Sequence, residues 1–227
     1  MKLLLFDIDG TLVLTGGAGG RAMDRAFDAV FGVRDALDGL SLNGRTDAWI
    51  IAQLSARHGF ETAPGSIQRF HDSYVSFLSE EIQRPGPRKG MLPGVPALLE
   101  ALSARDDVYV ALLTGNFEAG ARIKLEYFDV WRYFGGGAFG DGAQERNGLL
   151  PRALADVRAR GGPVGPPSDV IVIGDTPHDV AVATAGGTRS IAVATGGHDA
   201  ATLRESGADV VLADLSDLEV VLEAMGV

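Results

Sequence analysis

The sequence predicts an α/β fold in which a doubly wound parallel sheet carries an inserted all-helical domain. Two patterns lead to this prediction. From residue 93 onward, helical segments alternate with apolar runs too short for helices, as in right-handed crossover units between parallel strands. Between the first apolar run and residue 93, three helical patterns follow one another with no strand pattern among them. The helical insertion therefore interrupts the sheet after its first strand.

The first strand is predicted from apolar residues 3–6, and two carboxylates, Asp7 and Asp9, follow it at once. Because alternate side chains on a strand point the same way, both should project from the carboxyl end of the strand, where open α/β sheets bind ligands. Like charges this close are tolerated beside a divalent cation, or when one carboxylate is a nucleophile and the other exchanges protons. A simple turn is the alternative, because Asp-Gly is a common turn signal that accounts for Asp9 and Gly10.

Apolar residues at three- and four-residue spacing predict the three helices of the insertion. They are Ala22, Ala26, Phe27, Val30 and Phe31 in the first, Trp49, Ile50, Leu54 and Phe60 in the second, and Ile67, Phe70, Tyr74, Phe77, Leu78 and Ile82 in the third. Glycines at 16–20 predict a hinge, since the Gly-Lys-Ser/Thr of a phosphate loop is missing, and prolines and glycines at 84–90 predict a second linker. The predicted domains are a core of residues 1–15 and 87–227 and a helical cap of residues 16–86.

The remaining strands are predicted from apolar runs at residues 108–113, 170–173, 190–194 and 209–212, with a short strand within 135–140. Helices are predicted near residues 96–102, 118–127 and 150–160. Polar groups follow three strands of this sheet, with Asp7 after the first, Thr114 after the run at 108–113 and Asp175 after the run at 170–173. Because the carboxyl ends of parallel strands share one edge, these groups should form one site.

Two more carboxylates belong to this predicted site. Asp175 and Asp179 are four residues apart across a strand-to-helix junction, so both can face the same cation if the helix begins at once. Together with Asp7 they form an oxygen-rich set that suits Mg²⁺ better than zinc. A helix cap is the alternative for Asp175 taken alone. Thr114 and Gly115 offer a hydroxyl and open backbone amides near a helix N-terminus, which predicts a phosphate-oxygen site.

Composition narrows the function further. The chain of 227 residues has no cysteine, which excludes disulfides, thiolate metal sites and a cysteine nucleophile. Its net charge of −10 argues against a nucleic-acid surface, so an anionic substrate must be held by local cations. The apolar run at the N-terminus is too short for a signal peptide, and no apolar stretch is long enough to span a bilayer. We therefore expect a cytoplasmic protein with no nucleic-acid or membrane partner, either monomer or homodimer.

Three segments resemble the haloacid dehalogenase-like hydrolases. Residues 7–11 (Asp-Ile-Asp-Gly-Thr) are similar to the first motif of that family, residues 113–116 to the second, and residues 174–179 to the fourth. The resemblance covers nearly the full length. It implies a Rossmann-like core with a cap and, because the second aspartate is present, phosphoryl chemistry of the kind carried out by phosphoglycolate phosphatases.

The resemblance also implies roles for individual residues. Asp7 would form an aspartyl-phosphate, and Asp9 would protonate the leaving alkoxide and then activate water. Asp7, Asp175 and the backbone carbonyl of Asp9 would bind Mg²⁺, with Asp179 as an outer ligand or an orienting group. The residues expected to bind phosphate are Gly10, Thr11, Thr114, Gly115 and Asn116.

The third motif of the family is usually a lysine some thirty residues after the second, and this chain has no lysine after Lys124. Arg146 stands at the expected spacing, and its forked donors could hold both a phosphate and Asp7. Lys124 lies on the helix after Thr114, from which its side chain would reach the site only under strain. We favour Arg146 and keep Lys124 as a candidate. A solvated surface cation is the alternative for each of them.

The cap segment 42–47 contains Arg45, which could pair with a carboxylate or phosphate of the leaving group. Equally, Thr46 or Asp47 could cap the next helix and leave Arg45 solvated. The leading hypothesis is a Mg²⁺-dependent phosphatase for a small phosphorylated metabolite. A phosphomutase of the β-phosphoglucomutase type is one alternative, and a non-catalytic binding or regulatory module on the same fold is another.

Overall fold

Six parallel strands form the central sheet of the computed structural model, which describes residues 1–227. The strands along the chain are β1 (Lys2–Phe6), β2 (Val13–Leu14), β3 (Gly90–Met91), β4 (Val108–Leu113), β5 (Gly137–Ala138), β6 (Val170–Gly174), β7 (Arg189–Val193) and β8 (Val210–Leu212). The order in the sheet is β5-β4-β1-β6-β7-β8, while β2 and β3 form a separate ribbon. Because successive strands are added first on one side of β1 and then on the other, the strand order reverses at β1, where such sheets bind ligands.

Nine helices flank the sheet or lie in the insertion. They are α1 (Ala18–Phe31), α2 (Asp47–His58), α3 (Pro64–Glu81), α4 (Val95–Ser103), α5 (Glu118–Tyr127), α6 (Leu149–Ala159), α7 (Pro177–Gly186), α8 (Ala200–Glu205) and α9 (Leu218–Met225). The predicted α/β fold with an inserted helical cap is confirmed. None of these helices combines the length and apolar composition needed to cross a bilayer.

Alternating side chains of the strands bury both faces of the sheet. Leu4 and Phe6 of β1 belong to one core cluster and Leu3 and Leu5 to the other, as the two-residue period of a strand requires. A strand buried on both faces reads as a continuous apolar run, which is why β1 was visible in the sequence. Its rigid, doubly covered backbone fixes the position of the residues that follow it.

The cap has an aromatic core of its own. Phe27 of α1 and Phe70 of α3 lie 4.5 Å apart between ring centroids, and Tyr74 is almost fully buried beside them. Phe117, which precedes α5 in the sheet domain, packs into the same cluster with its ring 6.1 Å from that of Tyr74. Phe117, a residue of the sheet domain, is therefore part of the hydrophobic interior of the cap.

The connections between cap and core differ in detail from the predicted flexible segments. Helix α1 begins at Ala18, so only Gly16 and Gly17 of the glycine cluster stand outside it, and α2 ends at His58, before Phe60. The ribbon of β2 and β3 joins the two connections, and a Cβ atom at Gly86 would lie 2.3 Å from the Gly16 carbonyl oxygen. The predicted domain boundaries stay a prediction, and they fall where these two backbones touch.

Candidate active site

A cavity of about 260 Å³ lies between the cap and the carboxyl end of the sheet. Asp7 and Asp9 after β1, Thr114 after β4 and Asp175 after β6 all line it, as the sequence predicted for strand ends on one edge. The cap contributes lining residues from α1, from the segment 42–47 and from α3. The cap therefore lies over the polar strand ends and forms one side of the cavity.

Arg146 holds two carboxylates of the site. It lies in the short 3₁₀ turn Arg146–Gly148 before α6 and is 8% exposed. Its Nη2 atom is 3.0 Å from Oδ2 of Asp7 and 2.5 Å from Oδ1 of Asp179. Asp179 is fixed in turn, since its Oδ2 accepts hydrogen bonds from the backbone N–H and the hydroxyl of Thr176 at the start of α7. The buried Nε of Arg146 has no hydrogen-bond partner.

Lys124 holds the other carboxylate of the first motif. Its Nζ donates to Oδ2 of Asp9 and to Oδ1 of Asn116, both at 2.6 Å. The side-chain amide of Asn116 donates to Asp9 at 2.9 Å and to the Thr114 hydroxyl at 2.8 Å. Lys124 is 4% exposed, whereas the Asp9 side chain is 42% exposed. Asp9 is thus oriented from one side and open on the other.

The surface-cation alternative is wrong for both Lys124 and Arg146. A charged side chain that is nearly fully buried must be paired, and each of these has a carboxylate partner in the site. Lys124 reaches Asp9 because side chains on a helix lean toward its N-terminus, which for α5 faces the cavity. The two cations that the sequence offered as alternatives therefore occupy the site together.

Three carboxylates lie close enough to share a metal ion. One oxygen each from Asp7, Asp175 and Asp179 lies within 4.8 Å of the others. Burial raises the pKa of Asp7 to about 6, with the Arg146 charge opposing the shift and the Asp179 charge adding to it. Burial and the charges of Asp7 and Asp179 raise the pKa of Asp175 to about 8. Carboxylates crowded in this way hold their protons until a cation compensates them.

Two predicted phosphate ligands are placed differently from expectation, whereas the Asp9 side chain keeps apart from the predicted three-carboxylate group, as expected. The Asp9 carboxylate lies with Lys124 and is not part of the three-carboxylate group. Gly10 and Thr11 do not line the cavity, because their backbone N–H groups bond to Val13 and Ile8 within the turn. The Thr11 hydroxyl donates to Asp175 at 3.2 Å. The structure thus gives Thr11 a role in orienting Asp175, in place of the predicted phosphate contact.

The cap segment brings Arg45 to the cavity. Its guanidinium carbon lies 4.3 Å from the ring centroid of Trp49, and it forms no ion pair with a carboxylate. Thr46 caps α2 by accepting the Trp49 N–H at 3.1 Å, so the helix-capping alternative is correct for Thr46. His178, which lies between Asp175 and Asp179 in the chain, packs against the same cap segment at Gly44. Its pKa is lowered by burial and by the charges of Arg45 and Arg146.

Two further cavity residues were not recognised in the sequence as part of the site. Tyr74 fits the apolar stripe of α3 and was assigned to the cap core, yet it also lines the cavity. Asp47 was considered only as a helix cap, but its buried carboxylate accepts the N–H of Phe117 in the sheet domain at 2.8 Å. The position of Asp47 two residues after Arg45 was the available signal. Its partner lies seventy residues away, and no sequence pattern connects the two.

A profile of the haloacid dehalogenase-like hydrolase family matches residues 4–184. The chain belongs to the haloacid dehalogenase-like hydrolases. This confirms the predicted family and the prediction of an enzyme, and the matched residues contain every predicted site residue. Within the matched residues, two buried cations, Arg146 and Lys124, occupy one site.

Individual relatives of this haloacid dehalogenase-like protein are distant. It is 26% identical over 232 residues to the tyrosine-protein kinase PtkA of Mycobacterium tuberculosis, covering 100% of this chain and 73% of the relative. A hydrolase from Pseudomonas syringae has a similar structure, with a TM-score of 0.73, 23% identity and 99% of each chain covered. A predicted phosphoglycolate phosphatase from Haemophilus somnus gives a TM-score of 0.71 at 19% identity, with 97% of each chain covered. At these identities the structures establish the shared fold.

Proposed function

We propose that the protein is a Mg²⁺-dependent phosphatase that hydrolyses a small phosphorylated metabolite through an aspartyl-phosphate on Asp7. One observation carries the proposal. Asp7 and Asp9 line the same cavity, yet each is paired with a different buried cation. Two carboxylates with separate environments can perform separate tasks, one as nucleophile and the other as acid and base.

The proposed reaction has two steps. A carboxylate oxygen of Asp7 attacks phosphorus, the bond from phosphorus to the substrate oxygen breaks, and Asp9 gives its proton to that oxygen. In the second step Asp9 takes a proton from water as the water oxygen attacks the phosphorus of the aspartyl-phosphate. The bond from phosphorus to Asp7 breaks, inorganic phosphate leaves, and both carboxyl groups return to their starting states.

The cations give this reaction its electrostatic support. Burial alone would lower the pKa of Arg146, but the charges of Asp179 and Asp7 more than offset that effect and raise it. Arg146 therefore stays charged, and its donors can bind phosphate oxygens as well as Asp7. Thr114 and Gly115 also line the cavity and offer a hydroxyl and a backbone amide to a phosphate, while the Asn116 amide donates to Asp9 and Thr114.

The residues present fit a magnesium ion. Asp7, Asp175 and Asp179 offer only oxygen donors, and these are close enough to converge on one small cation. The family resemblance adds the backbone carbonyl of Asp9 to this set. When bound, the ion would neutralise the repulsion between the phosphate and the carboxylates. The raised pKa values of Asp7 and Asp175 support the fit, because burial and, to a lesser extent, the neighbouring carboxylates disfavour the ionised forms, which a bound cation would stabilise.

The cavity also limits the substrate. A cavity of about 260 Å³ lined mainly by polar residues suits a small phosphorylated metabolite, and the guanidinium of Arg45 lies on the cap side without a carboxylate partner. A second anionic group on the leaving group, either carboxylate or phosphate, would supply that partner. This favours a substrate with negative charge at both ends.

A phosphomutase is the second candidate, because a cavity with Arg45 on the cap side and Arg146 and Lys124 on the core side also suits a bisphosphate intermediate. In that case the aspartyl-phosphate would pass its phosphoryl group to a second hydroxyl and not to water. The name of the mycobacterial relative points to a third acceptor, the hydroxyl of tyrosine. The three possibilities share the first step and differ in what attacks the aspartyl-phosphate.

A phosphate-release screen over small phosphorylated metabolites, with and without Mg²⁺, tests the proposal. Asp7→Asn is the matched control, since it removes the nucleophile and keeps the shape of the side chain. The expected result is Mg²⁺-dependent release from at least one anionic ester, lost in the variant. Transfer to a sugar hydroxyl or to a tyrosine peptide without phosphate release would favour the other acceptors. Absence of an aspartyl-phosphate with every substrate would overturn the proposal.

A further inference from the structure

Asp47 is a buried carboxylate of the cap whose contacts are both in the sheet domain. Its backbone N–H donates to the carbonyl oxygen of Gly115 at 2.8 Å, and its Oδ2 accepts the N–H of Phe117 at 2.8 Å. It is 6% exposed and lines the cavity. Since Thr46 already caps α2, the carboxylate of Asp47 is not needed for its own helix.

The carboxylate instead caps a helix of the other domain. Phe117 is the residue before α5, and its own side chain cannot cap the helix. The next N–H, that of Glu118, is accepted by Asp141 of the sheet domain at 2.8 Å. Two carboxylates thus bind the N-terminus of α5, where the helix dipole favours negative charge. Asp47 comes from the cap and Asp141 from the core, so only the Asp47 contact depends on the position of the cap.

The cap segment 42–47 packs directly on the sheet domain, both at the loop before α5 and at Thr176. A Cβ atom at Gly115 would lie 2.0 Å from the Arg45 carbonyl oxygen, and one at Gly44 would lie 2.6 Å from the Thr176 hydroxyl. The backbone of the cap segment therefore packs on backbone at Gly115 and on a side chain at Thr176. The ring of Phe117 also enters the aromatic core of the cap. Movement of the cap away from the sheet would break the Asp47 contacts together with these.

The segment that Asp47 holds carries most of the groups around Asp9. Thr114 and Asn116 precede Phe117, and Lys124 lies two turns along α5. Asp9 accepts its hydrogen bonds from Asn116 and Lys124. A shift in the start of α5 would therefore move both donors relative to Asp9.

We infer that Asp47 is a positioning residue that links closure of the cap to the orientation of Asn116 and Lys124 around Asp9. This inference rests on the proposed phosphatase function for its kinetic consequence, although the contacts themselves do not. When the cap is closed, Asp47 fixes the start of α5 and the donors of Asp9 are in place. When the cap is open, that hydrogen bond is absent and Asp9 loses its fixed orientation.

The kinetic experiment compares Asp47→Ala with Asp141→Ala, which removes the equivalent contact from the core side. Both variants lose one carboxylate at α5, so their losses of thermal stability should be similar. Asp47→Ala should lower kcat by about 10-fold to 100-fold, as misplaced reacting groups do, for large and small phosphate esters alike. Asp141→Ala should stay within about 3-fold of the wild type. Asp47→Asn, which keeps an acceptor oxygen for Phe117, should restore most of the activity.

Amide hydrogen exchange by NMR separates this inference from the proposed function. Asp47→Ala should speed exchange of the Phe117 amide, and Asp141→Ala that of the Glu118 amide, whether or not the substrate is known. If Asp47→Ala does not fold, Asp47→Ser replaces it, because serine suits a helix start but ends short of the Phe117 amide. Equal kinetic losses in the Asp47 and Asp141 variants, or an unchanged Phe117 amide, would overturn the inference. An inactive wild type with altered exchange would overturn only the phosphatase proposal.

Discussion

The two halves of the site hold their carboxylates in different ways. Around Arg146, every partner belongs to the sheet domain, and Asp7 and Asp179 are both at least nine-tenths buried. Around Lys124, the carboxylate of Asp9 is 42% exposed, and the loop that carries its donors is bound by the cap. Both halves are built from residues of the sheet domain, but only in the second is the loop that carries the donors hydrogen-bonded to the cap. The proposed nucleophile, Asp7, is therefore held by sheet-domain contacts, whereas the orientation of the proposed acid and base, Asp9, is linked by our inference to closure of the cap.

The first prediction, with the largest expected effect, concerns Asp7, the proposed nucleophile in the Arg146 half of the site. Asp7→Asn should abolish turnover, because an amide cannot form the covalent intermediate. Folding should survive or improve, since one of three crowded carboxylates is removed. Trapping of phosphoenzyme after acid quench, together with thermal unfolding, measures both. Turnover near that of the wild type would remove Asp7 from this role.

The second prediction compares the two cations directly. Arg146→Ala should slow formation of the phosphoenzyme on the order of 100-fold with any ester, because it removes a preorganised charge beside Asp7. Lys124→Ala should slow phosphoenzyme formation by a similar factor with alkyl phosphates, because an alkoxide leaving group needs a proton from Asp9. The loss should be smaller with aryl phosphates, because an aryloxide can leave without that proton. Single-turnover kinetics with both ester types measures this. The same pattern in both variants would mean that the two halves are not distinct.

The third prediction concerns the cap side of the cavity. Arg45→Ala should reduce kcat/KM for the natural substrate by about 10-fold or more and change that for a small neutral-tailed phosphate ester far less, if Arg45 binds the leaving group. Asp47→Ala should reduce kcat/KM for both substrates equally. This difference separates a residue that binds the leaving group, Arg45, from a residue that positions the groups around Asp9, Asp47. Steady-state kinetics with the two esters decides between them. Equal losses in Arg45→Ala would indicate damage to the cap fold.

The smallest effect is on stability and follows from Asp175. Because its pKa is raised to about 8 in the folded protein from an ordinary 3.8, the folded state binds this proton more tightly than the unfolded state. Stability without metal should therefore be highest below pH 4 for this group and fall as the pH rises toward 8. Asp175→Asn should gain a few kcal/mol over the wild type, roughly, between pH 5 and pH 9.

Magnesium provides the control for that prediction. The ion binds ionised carboxylates, so it should raise the Tm of the wild type more at pH 9 than at pH 5, and it should raise that of Asp175→Asn little at either pH. Thermal unfolding with and without Mg²⁺ measures the changes in Tm, and chemical unfolding across this pH range measures the difference in free energy of unfolding between the two proteins. A difference between the two proteins that stays constant with pH would show that Asp175 is not a proton-binding group of the folded state.

The sequence by itself determined the sheet and its polar edge. The strands β1, β4 and β6 are apolar on both faces, so their runs are visible without neighbours, and the residues after them must meet at one edge. That is why the sequence alone predicts one site for Asp7, Thr114 and Asp175, which line the same cavity in the structure. The helical periodicity of α1, α2 and α3 likewise needs only local information.

Only the tertiary structure decided how charges pair and which residues cross between domains. Lys124 and Arg146 looked like alternatives because spacing along the chain does not show which carboxylate a long side chain reaches. Thr11 was expected to bind the phosphate, but its hydroxyl donates to Asp175. The reason is that its backbone N–H closes a turn with Ile8, which points the hydroxyl inward. Asp47 and Phe117 are joined only because the cap folds back on the sheet. These contacts depend on long-range packing and burial, which local sequence patterns do not contain.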